Sequence, residues 1–263
     1  MSLFDQLKKP EQEPVIALIA GEQGLGKTTL AAMLPKPVMI RAEDGTSSIE
    51  GMDVALFPVA NKLQDVKDQI KMLGTEEHDF KTLVIDSTTA YDSLIVSDIQ
   101  KRNKTANLSA CDGGFGGGFH TVRAEHENLF NLCKKLRAVK KMNIVFIAHT
   151  ETETLNPPDS EEYSRYTIQL TKSKQVDCSK VYTNNCDLVA FIKLNRIVMD
   201  GRAQTTGDRV ITCHPTASHV SKNRYGIETD LPFELGVNPF NGVIKQLTTT
   251  TTTTTPTTTI EGK

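Results

Sequence analysis

Residues 14–34, PVIALIAGEQGLGKTTLAAML, leave a chain few ways to fold. An apolar run comes first, then a glycine-rich turn, then a helical pattern. Within the turn, Gly21-Glu22-Gln23-Gly24-Leu25-Gly26-Lys27-Thr28 fits G-x-x-x-x-G-K-S/T, with strand before and helix after. That is a phosphate-binding loop. Its glycines let the backbone curl until successive N–H groups and the next helix's N-terminus point at one anion. Residues Gly21 to Thr29 are therefore the candidate nucleotide cradle, with Lys27 at the β- and γ-phosphates and the Thr28 hydroxyl on Mg²⁺.

The rest of the chain continues in the same style. Pro35 and Pro37 stop the first helix, and Val38 to Ile40 reads as a short buried strand ending in Arg41-Ala42-Glu43-Asp44-Gly45. A short strand is expected within Asp53–Val59, and residues 63, 66, 70 and 73 give one apolar helix face. Thr82 to Ile85 is an apolar strand closing on Asp86, and a helical pattern covers Tyr91–Gln100. Val122, Leu129, Phe130, Cys133 and Leu136 mark a long helix, and Asn143 to Ala148 is a buried strand that ends at His149. Alternating strands and helices predict an α/β fold whose sheet is mostly parallel, with right-handed crossovers. Further strands at Leu188–Leu194, Arg196–Met199 and Arg209–Cys213 have hairpin spacing, the last two joined around Asp200-Gly201 or Thr206-Gly207, so an antiparallel extension closes the sheet.

Three stretches resist this pattern. Residues 1–13 are a polar leader, too polar for a signal peptide, in which Phe4 is either a docking residue or part of a frayed end. Cys111-Asp-Gly-Gly-Phe-Gly-Gly-Gly-Phe119 is too glycine-rich to keep one conformation without a ligand or partner. Residues 151–185 are polar and read as a long mobile excursion with one strand at Tyr166–Leu170. Beyond Arg224 the chain winds down through Pro232 and Pro239, and 248–263 is a threonine-rich tail excluded from the fold. The expected organisation is a leader (1–13), one ATPase domain (14–247) and the tail.

With 263 residues and a net charge of −2, no global field announces a nucleic-acid partner, so any DNA binding must come from a local patch. No apolar run is long enough to span a bilayer, and the expected location is the cytoplasm. Five scattered cysteines suit a reducing compartment. Cys178, Cys186, Cys213 and His214 can be drawn as a zinc site, but their spacing matches no standard ligand pattern.

A triphosphatase needs an acid in the Mg²⁺ shell, a carboxylate for the attacking water and a cation for developing charge. Asp86 at its strand end is placed for the metal, and Glu43, with Asp44 as competitor, for the water.

The order of strand endings, GEQGLGKTT, VMIRAEDG, TLVIDSTTA, NIVFIAHT and SKNRYG, resembles the RecA-type recombinase and ring-helicase superfamily. Within it the chain looks most like the short RecA-like ATPases of bacteriophages that act as single-strand annealing recombinases. The resemblance implies that Glu43 is the catalytic glutamate and Asp86 the Walker B aspartate. It puts His149 where the family keeps a γ-phosphate sensor, and makes Lys222 and Arg224 a basic-x-basic pair reaching a neighbouring subunit's phosphates. It sets Gly113–Gly118 at the first DNA loop, where Lys101, Arg102, Lys104, Phe115 and Phe119 would form a single-strand platform; a plain flexible connector is the alternative. The 151–185 excursion would be the second loop, with Arg165, Lys172 and Lys174 as phosphate partners. The implied activity is DNA-stimulated ATP hydrolysis by a homo-oligomer, ring or filament, holding single-stranded DNA, with a single-strand binding protein as a further partner and the host cytoplasm as its location. A helicase-like motor and a nucleotide switch with little turnover are the competing readings.

Overall fold

The computed structural model describes Phe4 and residues 11–45, 47–199 and 202–249, and the side chains of 196–199 and 202–206 are left aside. Most of the leader, the Asp200-Gly201 turn and the tail from residue 250 lie outside the described residues.

A nine-stranded sheet forms the centre. Its parallel part comprises β1 (Ile16–Gly21), β2 (Pro37–Arg41), β3 (Ala55–Leu56), β4 (Thr82–Asp86) and β5 (Asn143–Ala148), extended by β8 (Leu188–Met199) beside β1. β9 (Arg202–Thr212), β10 (Lys222–Asn223) and β11 (Leu231–Phe233) add antiparallel, giving the order β11-β9-β8-β1-β5-β4-β2-β3 with β10 on β8. β1 and β5 are buried along their whole length, as expected of strands covered on both faces. Register aligns the ends that matter: Ala20 pairs with Ala148 and Arg41 with Asp86. The chain therefore leaves β1, β2, β4 and β5 along one edge, the place where open α/β sheets bind ligands.

Each sheet face carries its own core. One packs against α2 (Leu63–Thr75), α3 (Thr88–Asn103), α4 (Gly117–Lys140) and α5 (Ser179–Asn185), with Tyr91, Phe146 and Tyr182 fully buried. The other packs against α1 (Lys27–Ala32) and a C-terminal segment whose Phe240, Ile244 and Leu247 are buried. On the first face, His126 joins Asp92 of α3 to Tyr182 of α5, at 2.8 Å on each side. Asp92 also accepts from the Thr171 hydroxyl at 2.7 Å, so the buried carboxylate is fully engaged.

Several expectations need correction. The 151–185 stretch is not a structureless excursion: β6 (Thr150–Leu155) and β7 (Tyr163–Ile168) form an antiparallel hairpin, and α5 follows. The alternating Thr and Glu of β6 carry no apolar period because the hairpin is a separate two-stranded sheet. The segment after Arg224 does not wind down, since it adds β11 and part of the second core. At the start of the threonine run, the Thr249 hydroxyl donates to the Met33 carbonyl at 2.8 Å. At the other end Glu13 is tied to Arg137 and to the Gln246 side chain. Arg196–Met199 is the far half of β8, past a register shift at Leu194/Arg196, rather than a separate strand. Gly207 lies inside β9, so Thr206-Gly207 does not join the two strands; Asp200-Gly201 lies outside the described residues.

The glycine-rich segment holds a fixed turn by its own bonds. Gly114 N–H donates to Cys111 O (3.1 Å), Gly116 N–H to Ser109 O (2.9 Å) and Gly117 N–H to Gly114 O (2.8 Å). The Asp112 carboxylate takes Arg102 and Asn103 at 3.0 and 2.8 Å. The last two glycines begin α4.

Candidate functional site

Gly26 caps α1 with φ 92°, a left-handed conformation open to glycine, and a Cβ there would press on Leu235 and Phe233 at 3.1 and 3.3 Å. The loop is thus pinned between β1 and the C-terminal segment. Lys27 is folded back, its ammonium donating to the carbonyls of Gly21 (2.9 Å) and Glu22 (2.8 Å). Burial draws its pKa down, against the pull of Asp86 and Glu43. A phosphate would exchange those neutral carbonyls for a charged acceptor, adding the attraction between opposite charges to the hydrogen bonds.

Thr28 and Asp86 meet although they lie on different elements, the hydroxyl donating to the carboxylate at 2.8 Å. Asp86 is buried at the end of β4, and desolvation raises its pKa more than the Thr28 bond lowers it. A buried carboxylate beside a hydroxyl is a donor set that suits Mg²⁺, a hard cation that favours oxygen. Such a cation would also relieve the carboxylate's burial. Behind it, Ser87 caps α3 by accepting from Ala90 N–H at 3.1 Å, and Thr88 donates to Ile147 O at 2.8 Å. These bonds fix the end of β4 against β5.

Glu43, just past β2, faces His149, just past β5, at 3.5 Å. Hydrogen bonding from His149 holds the Glu43 carboxyl below the usual range, ahead of the opposing effect of partial burial. Asp44 turns toward Arg41 at 3.6 Å instead, although it still lines the cleft. The cleft has a volume of about 520 Å³ and is walled by Lys27, Thr28, Glu43, Asp86 and His149 among others. Four strand ends thus contribute to one cleft.

Other predicted residues fall elsewhere. Leu25 packs into the second core, and Glu22 lines a neighbouring hollow with Tyr166, Phe191, Lys193 and His219. Lys222 and Arg224 are absent from this chain's cleft: Lys222 donates to Asn184 O at 2.7 Å and Arg224 to Asp187 at 3.0 Å. Phe115 is fully exposed, but Phe119 packs against the core and is not available for stacking. Two of the three expected phosphate partners are paired with acids, Arg165 with Glu153 (2.8 Å) and Lys172 with Glu151 (2.9 Å). The imagined zinc ligands are split, with Cys178 and Cys186 in one core and Cys213 across the sheet in the other. All five thiols are free and buried.

Arg41, of the strand ending VMIRAEDG, also lines the cleft, as do Ser48, Arg209 and Leu235, which lie on no motif. Arg209 and Leu235 stand far along the chain from the loop, and only strand order brings them near.

The hairpin β6–β7 is rooted in this site. β6 starts at Thr150, one residue past His149, and Gln169 N–H closes the base on His149 O at 2.9 Å. On its far side, Tyr166 N–H donates to Ser218 O at 2.8 Å, in the segment that leads to Lys222 and Arg224. No described helix is long and apolar enough to cross a membrane.

A family model described as an AAA domain matches residues 13–225. Among solved structures, the chain is similar to the crystal structure of the RadB recombinase, with a TM-score of 0.50 and 15% sequence identity, over 84% of this chain and 87% of that one. No curated protein matches the sequence.

Proposed function

Since the chain belongs to the AAA domain family and has a RecA-like P-loop ATPase fold, we propose that it is an ATP-dependent, single-stranded-DNA-binding recombinase or annealing protein of bacteriophage type, hydrolysing ATP at a site shared between subunits. The observation that carries this reading is the convergence of Lys27, Thr28, Asp86, Glu43 and His149 on one cleft, with the root of the β6–β7 hairpin beside His149.

In this reading Lys27 leaves the carbonyls of Gly21 and Glu22 for the β- and γ-phosphates, and loop N–H groups hold the remaining oxygens. Thr28 and Asp86 would hold Mg²⁺, which neutralises phosphate charge when bound. Glu43, kept ionised by His149, orients a water at the γ-phosphorus and takes its proton. The water oxygen bonds to phosphorus as the bond to the β,γ-bridging oxygen breaks, and ADP leaves with the electron pair. His149 then reports the loss of the γ-phosphate to β6, and so to the hairpin, which would be the DNA-holding element, joined there by Lys174 and the exposed Phe115. A single-strand binding protein would be its natural partner on DNA. Lys222 and Arg224, far from their own cleft, would complete the cleft of a neighbour in the homo-oligomer.

The test is ATP turnover with and without single-stranded DNA. Stimulation by the strand, abolished by Lys27→Ala, is expected; turnover indifferent to DNA would remove the DNA half of the proposal. For the shared site, Lys27→Ala subunits mixed with Arg224→Ala subunits should recover activity that neither has alone. No recovery at any ratio would place Arg224 within its own subunit's chemistry.

A further inference from the structure

The cleft has two chemically different ends. At one lie Asp86, Glu43 and His149, where a metal-bound γ-phosphate belongs. At the other lie Arg209 of β9 and Leu235 beyond β11, on the far side of β1. Lys27 stands between. A triphosphate anchored by Lys27 with its terminal phosphate at the acidic end must run its nucleoside toward Arg209 and Leu235.

Three observations show that this second end is shaped for more than phosphate. Leu235 is 53% exposed, a large apolar side chain on the wall of an otherwise polar cleft. The Arg209 Nε is buried with no hydrogen-bond partner among the described residues, a costly state for a guanidinium donor that a ligand acceptor would relieve. Finally, the cleft does not end there. A second hollow of about 490 Å³, between β9 and residues 232–235, shares Arg209 and Leu235 with it. The two residues form the sill between the hollows, so a ligand longer than a triphosphate has room to pass over them.

We infer that Arg209 and Leu235 form the nucleoside subsite: Leu235 lies against the face of a purine base, and the Arg209 guanidinium donates to the nucleoside. The inference rests on the ATP-binding reading and adds which end of the cleft selects the nucleotide. Arg209 and Leu235 determine specificity and are not catalytic residues, for they stand away from the γ-phosphate. Pinning of the loop by Leu235 against Gly26 puts the base platform and the phosphate cradle in direct contact.

The test compares Arg209→Met and Leu235→Ser with the parent chain by equilibrium binding of ATP, ADP and inorganic tripolyphosphate. Both residues are partly exposed and neither side chain makes a hydrogen bond to a described residue, so folding should be retained; circular dichroism checks it, and Arg209→Lys replaces Arg209→Met if that variant unfolds. ATP and ADP are expected to bind about tenfold more weakly to Leu235→Ser, the effect of losing one apolar contact surface, while tripolyphosphate is unaffected. Unchanged ATP affinity in both variants overturns the inference. So does equal weakening of ATP and tripolyphosphate, which would assign the residues to phosphate. A parent chain that binds no ATP would instead defeat the proposed function itself, and that outcome is read separately.

Discussion

Gly118→Ala tests whether the glycine-rich turn before α4 is a rigid element or a loose loop. A Cβ at Gly118 would lie 2.3 Å from the Leu108 carbonyl oxygen, 2.9 Å from Leu108 Cδ1 and 3.0 Å from Cys111 Cβ. Ordinary contact begins near 3.4 Å, so the 108–111 segment must retreat by about 1 Å, and its hydrogen bonds to Gly114 and Gly116 must distort with it. Overpacking of this kind costs about 1–3 kcal/mol. For a domain of this size that corresponds to a fall in melting temperature of about 2–12 °C. Gly114→Ala is the control, because a Cβ there meets nothing within 4 Å although φ is +77°. Its cost should be only the left-handed penalty, about 1–2 kcal/mol. Thermal melts followed by circular dichroism decide the matter. If Gly118→Ala melts with the parent, the turn yields freely and the ordered reading of 111–118 is wrong.

Asp86→Asn should abolish Mg²⁺-dependent turnover yet raise stability at neutral pH, by on the order of 1 kcal/mol. The sign follows from burial: a carboxyl whose folded pKa is raised holds its proton longer in the native state, so its ionisation lowers stability as pH rises above the unfolded value. A variant no more stable than the parent in urea would contradict this. His219 gives the opposite slope. Burial brings its pKa down to about 4, so the unfolded chain takes the proton first, and stability should fall as pH drops from about 6.5 toward 4. His219→Gln should flatten that limb of the urea-midpoint profile, and an unaltered limb would rule His219 out as its source.

Much of the site was legible in the sequence. A glycine spacing defines a backbone curl by local sterics, and an apolar run ending in an acid defines a strand end, so the phosphate loop, Asp86 and Glu43 could be named without coordinates, and His149 only through the resemblance. The polar strand β6 was not legible, since its alternating Thr and Glu bury no face, and it is ordered by a ladder of cross-strand bonds and ion pairs to β7, whose Tyr166 and Ile168 pack on the main core. The glycine turn misled for a related reason. Composition counts the freedom of an isolated segment, whereas Leu108, Cys111 and Asp112 supply the contacts that remove it.

By itself, then, the sequence determined the α/β class, the phosphate loop and the acids that end its neighbouring strands, because each is written in residues close together along the chain. Tertiary structure alone decided which side chains share the cleft. It turned Glu43 toward His149 and Asp44 toward Arg41, brought Arg209 and Leu235 to the far end of the cleft, and kept Lys222 and Arg224 out of it. Apart from the local Asp44–Arg41 pair, those outcomes depend on sheet order and register, which join strands as far apart in the chain as β1 and β5 and leave no local trace.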